Sequence, residues 1–344
     1  MKKILFKINC ILVCLLMTVG ICGCDAKEVV LTTSFGKTEL MRINDDSTYL
    51  PEMMLYLTNI QNAYEKVYGE DIWLQTPEGE SLEAKVKDMV LAKVAQVKVM
   101  KLMAKDYKLS LSDSEEEEAD AKATAYFATL NAKERELIGV TEDDVCAIYE
   151  EYALADKVYE YVIKDINPEI SDDEARTITV LHILIKVYTE DASGNKTPFS
   201  KRAAEEALEK AKMVLELVKS DEEAFESMAV KYSDDDEITY TFSRGEMPKE
   251  IEEAAFSLDK DEISDIIETE SGYHIFKCIS DFDVEKTQEN KVEILKKRKE
   301  EVFDNTYEEF IKNLDKTLNE KLFDSITMIH DPEVTTTGLL DFDI

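Results

Sequence analysis

The feature that most restricts the fold is a hydrophobic period that changes twice along one chain. Leu82, Val86, Met89, Val90, Val94, Val97 and Met100 recur at three and four residues, the spacing of one helix face. After Arg176 the texture becomes β-branched, as in TITVLHILIK. From Glu285 to Ile326 the three/four spacing returns in Val292, Leu295, Val302, Phe303, Phe310, Leu314, Leu318 and Leu322, with no Pro or Gly inside. A helix of ~40 residues would be about 60 Å long and would need partners along its length. The first helical stretch offers the only other large apolar surface. The chain is therefore expected to return to its first domain, leaving the strand-rich part as an insertion. A length of 344 residues, too great for one simple core, agrees with two domains.

Helical spacing runs from Asp45 to Ile166, where Asn167-Pro168 breaks it. Ser112 with Glu115 and Thr141 with Asp144 read as helix starts. Val145, Ile148, Tyr149, Tyr152, Tyr159 and Val162 form one stripe. Before this, VVLTTSFGKTELMRI alternates weakly, as one or two strands would. The middle segment reads strand (TITVLHILIK), polar loop, helix Lys201–Lys219, helix Glu222–Tyr232, acidic turn SDDDE and strand ITYTF. A loop, a short helix and two strands joined at Gly272 follow, giving the order βααβαββ. The expected boundaries are 1–23 leader, 24–175 helical domain, 176–284 α+β insert, 285–327 returning helix and 328–344 tail, frayed from Asp331. The fold class is α+β.

Lys2, Lys3 and Lys7 precede a 14-residue apolar stretch, Ile8 to Ile21, shorter than the ~20 residues a spanning helix needs. The ICGC that follows resembles a bacterial lipobox, with Cys24 as the lipidated residue and residues 1–23 as its signal peptide. Acyl chains on Cys24 would tether the chain to the membrane, each buried CH₂ contributing ~0.8 kcal/mol. The expected location is the outer face of the bacterial cytoplasmic membrane. Residues 1–23 hold three lysines and no acid, so their loss takes the net charge from −34 to −37. Such a chain repels nucleic acid and bare anionic bilayers. Of six cysteines, only Cys146 and Cys278 remain after Cys24. They fall in different predicted domains, where a small apolar role fits each better than redox work. No CxxC or metal-ligand spacing occurs, so no metal or cofactor is expected.

Two of the three histidines, His182 in VLHILIK and His274 in GYHIFKCI, sit inside strands. With LHILIK, the stretches EEAFESMAVKYSDD, FSRGEMPKEIEEAAFSL and DEISDIIETESGYHIFK run in an order that resembles the parvulin family of peptidyl-prolyl isomerases, over residues 176–284. The full layout resembles the PrsA-type foldase lipoproteins and, more distantly, the SurA chaperones. The resemblance implies that His182 and His274 are hydrogen-bonded partners under an active site. It places Asp235, or its neighbour Asp234, across the pocket from them. Phe242, Met247, Thr239 and Ile251 would line the slot for a substrate proline. No bond is broken in that reaction; the catalyst favours a twisted amide over a planar one. The expected substrates are X–Pro segments of unfolded or partly folded secreted proteins, with a homodimer and a monomer both open.

The sequence departs from the parvulin pattern in DDEITYTF, which is short and lacks the glycines usual before the pocket aromatic. Thr239 stands for a Leu and Ile251 for a Phe. The alternative is therefore a non-catalytic holdase with a degenerate parvulin module. A binding-only adhesion lipoprotein is a further rival. The loop after the first strand balances Glu190 and Asp191 against Lys196 and Lys201, so no phosphate recognition is expected. Met41, Met53, Met54, Met89, Met100 and Met103, with Tyr56, Tyr64, Tyr68 and Trp73, make an exposed apolar cradle on the helical domain the expected client surface.

Overall fold

A computed structural model of the chain describes residues 35–191, 194–221 and 224–340. The expected leader, its lipobox and Cys24 lie outside these residues. The chain divides into two compact units, Met1–Asp165 with Val302–Ile344, and Ile166–Glu301. The second unit thus interrupts the first in sequence.

The first unit opens with strands β1 (Glu39–Ile43) and β2 (Asp46–Tyr49), antiparallel about Asn44, whose φ is +51°. Asn tolerates that left-handed conformation better than most residues. Residues 46–49, expected to be helical, are therefore strand. Helices α1 (Leu50–Tyr68), α2 (Leu82–Tyr107), α3 (Asp113–Thr129), α4 (Ala132–Ile138) and α5 (Glu142–Ile163) follow. Pro51 sits in the first turn of α1, where its missing N–H costs nothing. Both sequence-read starts are capping boxes: Glu115 accepts from Ser112 N at 2.7 Å, and Asp144 from Thr141 N at 2.8 Å.

Val86, Val90, Val94, Val97 and Met100 of the α2 stripe are buried, as are Val145, Ile148 and Tyr149 of α5. The methionines follow the core rather than a binding surface. Met41, Met53, Met54, Met100 and Met103 are buried, so the expected methionine cradle is not there. Thioether chains fill irregular gaps between helices, and that use wins here. Where α1, α2, α5 and β2 meet, Lys98 reaches Glu52 at 3.0 Å and Glu151 at 2.5 Å, while Lys101 holds Glu151 at 2.8 Å and Asp46 at 3.0 Å.

The second unit runs α6 (Asp172–Ala175), β3 (Thr177–Lys186), the small hairpin β4 (Tyr188–Glu190) with β5 (Lys196–Pro198), α7 (Lys201–Ser220), α8 (Phe225–Tyr232), β6 (Thr239–Ser243), α9 (Lys249–Phe256), β7 (Ile267–Thr269) and β8 (Gly272–Ser280). The main sheet has the order β6-β3-β8-β7 and every pairing in it is antiparallel. Strand alternation splits β3 and β8 between two cores. Ile183, Ile185, Tyr273 and Ile275 pack with Ala211, Val214 and Val218 of α7 and Phe225 of α8. Ile178, Val180, Phe276 and Cys278 face the other way, onto Phe242, Ala255 and Phe256.

Gly272 starts β8 at φ +140°, where an added Cβ would lie 2.1 Å from the Ile185 carbonyl oxygen. That oxygen belongs to a buried central strand and cannot retreat. Gly272→Ala is expected to cost on the order of 3 kcal/mol or more, from backbone strain and displaced pairing together. Urea unfolding of the variant checks this.

The last long helix, α10, spans Val284–Ile311 and is 28 residues long, not the expected forty. After it the chain forms β9 (Lys316–Leu318), which pairs with β1, and a short α11 (Glu320–Asp324). Leu318 lies opposite Met41 in that pairing, so the apolar spacing that read as helix serves a strand here. Asn44 fixes the exchange: its N–H donates to the Asp315 carbonyl at 2.8 Å, and its side chain accepts from Asp315 N at 3.0 Å. An otherwise open edge of β1 is thereby paired. Nor do residues 331–340 fray. Val334, Leu339 and Leu340 are buried, and Thr336 and Leu339 bond to side chains of α1 and α4.

Candidate active site

The sheet of the second unit sets the site. On β3 and β8 the even-numbered residues face one side. The register places His182 opposite Phe276 and Leu184 opposite His274, so the two histidines are diagonal neighbours on the central strands. Both are buried, at 5% and 4% exposure. His182 Nε2 and His274 Nδ1 lie 2.9 Å apart, with ring planes 13° from parallel. His274 Nε2 is 2.8 Å from Thr269 Oγ1, at the end of the neighbouring strand β7. His182 Nδ1 is 3.5 Å from Asp235 Oδ2, an electrostatic contact too long for a hydrogen bond, and this buried nitrogen has no hydrogen-bond partner among the described residues. The Tyr240 hydroxyl donates to that same oxygen at 2.8 Å.

One set of proton positions suits every contact. A carboxylate only accepts, so the Nδ1 of His182 that faces it carries the proton. Nε2 of His182 then accepts from His274 Nδ1–H, and His274 Nε2 accepts from the Thr269 hydroxyl. All the donors point one way, toward Asp235. Burial is the first cause that pushes His182 down to about 4, helped by His274 and opposed by Asp235. Burial likewise pushes His274 down to about 4, against Asp235. Both imidazoles are therefore neutral near pH 7, and the pair has no proton to give as an acid.

The two candidate aspartates part company. Asp234 accepts from Lys186 N at 3.0 Å and from Lys210 Nζ at 3.4 Å. Asp235 is the one beside the histidines. Ser233 shapes this turn, because its hydroxyl accepts from Leu184 N at 3.1 Å and from Asp235 N at 3.2 Å.

Phe242 is 3% exposed and meets Phe256 edge to face at 5.8 Å between centroids. Met247 and Ile251 pack, partly buried, on the same cluster. These three residues share the histidine side of the sheet. Thr239 does not. It pairs with Leu181 on β6 and is exposed, while Leu181 packs on the α7 core. The expected position is one residue off, and a slip of one residue changes the face of a strand. Tyr240 occupies the place instead, its ring edge-on to His182 at 5.4 Å. The TYTF alternation carried this signal, since it puts Tyr240 and Phe242 on one face. Thr269 was legible only as a polar residue near the Gly272 turn.

Among the described residues no group of three or more His, Cys, Asp or Glu side chains could hold a metal ion. The facing histidine nitrogens are taken by their mutual bond. Cys278 is buried under the sheet, and burial pushes its thiol up to about 11, as suits a packed apolar side chain.

A family model described as the PPIC-type PPIase domain (rotamase) matches residues 182–280, from one histidine to the end of the strand that carries the other. The foldase protein PrsA of Caldanaerobacter subterraneus subsp. tengcongensis is 30% identical over 261 residues, covering 71% of this chain and 74% of that protein. The foldase protein PrsA of Clostridium botulinum is 27% identical over 296 residues, 80% of this chain and 83% of that one. A crystal structure of the peptidylprolyl isomerase PrsA from Bacillus cereus shares 20% identity over 74% of this chain and 88% of that one, with a TM-score of 0.35. The sequence likeness to those two foldase proteins covers 71% and 80% of this chain. This chain belongs to the family of PrsA foldase proteins.

Proposed function

We propose that the chain is an extracytoplasmic foldase that accelerates cis/trans exchange at X–Pro bonds in secreted client chains. The observation that carries this reading is the neutral, hydrogen-bonded histidine pair with Asp235 at 3.5 Å, beside the apolar group of Phe242, Met247 and Ile251. Uncatalysed exchange must cross ~18–20 kcal/mol, because twisting the amide ends its resonance. In the planar amide the carbonyl oxygen carries partial negative charge, which fades as the bond twists. A carboxylate held near that oxygen disfavours the planar form more than the twisted one. The apolar group grips the proline ring while the carbonyl side rotates. The histidine pair fixes the floor of the site and exchanges no proton with the substrate.

Among the described residues no helix is long and apolar enough to cross a membrane. Lipidation at Cys24 would hold the chain at the outer face of the bacterial cytoplasmic membrane, where secreted clients emerge. A second reading, a holdase that grips prolines without isomerising them, draws on Ile251, a smaller side chain than a stacking aromatic.

Refolding of a client limited by a slow X–Pro step separates the two. The proposal expects a faster slow phase. It expects Met247→Ala to lower kcat/KM roughly tenfold, since one lost apolar contact in a slot is worth ~1–3 kcal/mol. Suppressed aggregation with an unchanged slow phase would leave the holdase.

A further inference from the structure

We infer that Tyr240 is a positioning residue for the isomerase site, holding the Asp235 carboxylate against His182 and covering one flank of the His182 ring. The inference rests on the isomerase reading for its kinetic part and on geometry for the rest. Asp235 sits in a turn whose backbone is tied to β3 through Ser233, but that tie leaves the carboxylate free to rotate. The side chain is 28% exposed, so solvent competes for it. One fixed donor, the Tyr240 hydroxyl at 2.8 Å, engages Oδ2, the oxygen that lies 3.5 Å from His182 Nδ1.

Tyr240 is itself fixed on both sides. It pairs with Val180 on β3, and its ring packs on the Phe242 and Phe256 cluster. The main chain on either side is anchored too, because His182 N donates to the Ile238 carbonyl at 2.8 Å. A stretch from Asp235 to Phe242 without a glycine has few ways to cover a buried imidazole. The edge of the Tyr240 ring, 5.4 Å from the His182 centroid, supplies the cover. Burial and the bond to Asp235 push the phenol up to about 12, so it stays a donor throughout the working range.

The test uses the full chain with Tyr240→Phe and Tyr240→Ala, assayed on an Ala-Pro peptide and by ¹⁵N NMR of the imidazoles. Tyr240→Phe keeps the ring and the pairing and removes only the donor. The expected result is a fold with wild-type thermal stability, kcat lowered roughly three- to tenfold with KM unchanged, and a displaced His182 Nδ1 resonance. Tyr240→Ala is expected to lower kcat further and to broaden the His182 signals, with Phe restoring the narrow lines. Unchanged kcat and unchanged imidazole resonances in Tyr240→Phe would overturn the inference. If the wild-type chain isomerises no peptide, the isomerase reading fails, and the imidazole spectra alone decide whether Tyr240 positions Asp235.

Discussion

Ending the chain after His330 is expected to unfold the helical unit at temperatures where the full chain is stable. The lost segment carries no long element, yet it fills the side of α1 and α4. Leu339 is fully buried, and Val334 and Leu340 nearly so. Asn62 donates to the Thr336 carbonyl at 2.8 Å, and Asn59 accepts from Leu339 N at 3.1 Å. Glu134, 2% exposed, accepts from Thr335 N and Thr336 N, both at 2.8 Å. Each buried apolar side chain contributes roughly 1.5–3 kcal/mol, and each buried polar group stripped of its partner costs ~1–3 kcal/mol. The sum is on the order of 5 kcal/mol or more, comparable with the whole stability of an ordinary domain. A midpoint lower by more than about 10 °C in a thermal scan is the expected result. A shift within about 3 °C would show that the segment rests on the unit without supporting it.

Acidification from about pH 7 to about pH 5 is expected to move the two units in opposite directions. His182 and His274 are held down to about 4 in the fold by burial, against an ordinary value of 6.5. Their neutral state contributes stability that is present above 6.5 and is lost as pH falls toward 4. By pH 5 the pair has cost the sheet unit on the order of 4 kcal/mol. In the helical unit, burial pushes Glu52 up to about 7 from 4.5, outweighing the pull of Lys98, and pushes Asp156 up to about 6. A raised carboxyl binds its proton more tightly in the folded state, so stability is lost as pH rises from 4.5 through 7. Lowering the pH over the same span therefore returns on the order of 2 kcal/mol through Glu52. Thermal scans at both pH values, with Glu52→Gln and His274→Phe as controls, read the two slopes. Glu52→Gln should flatten the rise in the helical unit. Two transitions that move together with pH would contradict this assignment.

Much of the fold could be read from period alone. The α2 stripe, both capping boxes and the βααβαββ order all follow from local spacing that tertiary contacts reinforce. What misled was spacing without context. Leu318 keeps a helical interval from Leu314, yet it lies in β9 because Asn44 and the free edge of β1, some 270 residues earlier in sequence, capture this stretch. The final residues look polar and short of apolar content. Their packing depends on Asn59, Asn62 and Glu134, whose amide and carboxylate groups give no sign in sequence of being buried acceptors and donors. The methionines were legible as apolar and illegible as exposed or buried, since one composition serves core and surface alike.

The site was legible in its buried half. His182 and His274 stand out because histidine is scarce and strands rarely hold one without a partner. Phe242 follows from the same alternation. The rim was harder to read. Which of Asp234 and Asp235 faces the pair depends on a turn set by the Ser233 hydroxyl, and Thr239 exchanged places with Tyr240 through a single position of register. Both depend on the geometry of the loop between α8 and β6, where residue type alone does not set the register.

The central claim is that a neutral histidine pair, a carboxylate and an apolar slot twist prolyl amides. It is tested most directly by NMR exchange spectroscopy on short Ala-Pro peptides with protein from Asp25 onward. Uncatalysed exchange takes ~10–100 s. The account predicts exchange well below that range with catalytic protein, and exchange slowed roughly tenfold in Met247→Ala while that variant remains folded. Exchange at the uncatalysed rate on every peptide, from a folded wild-type chain, would contradict it.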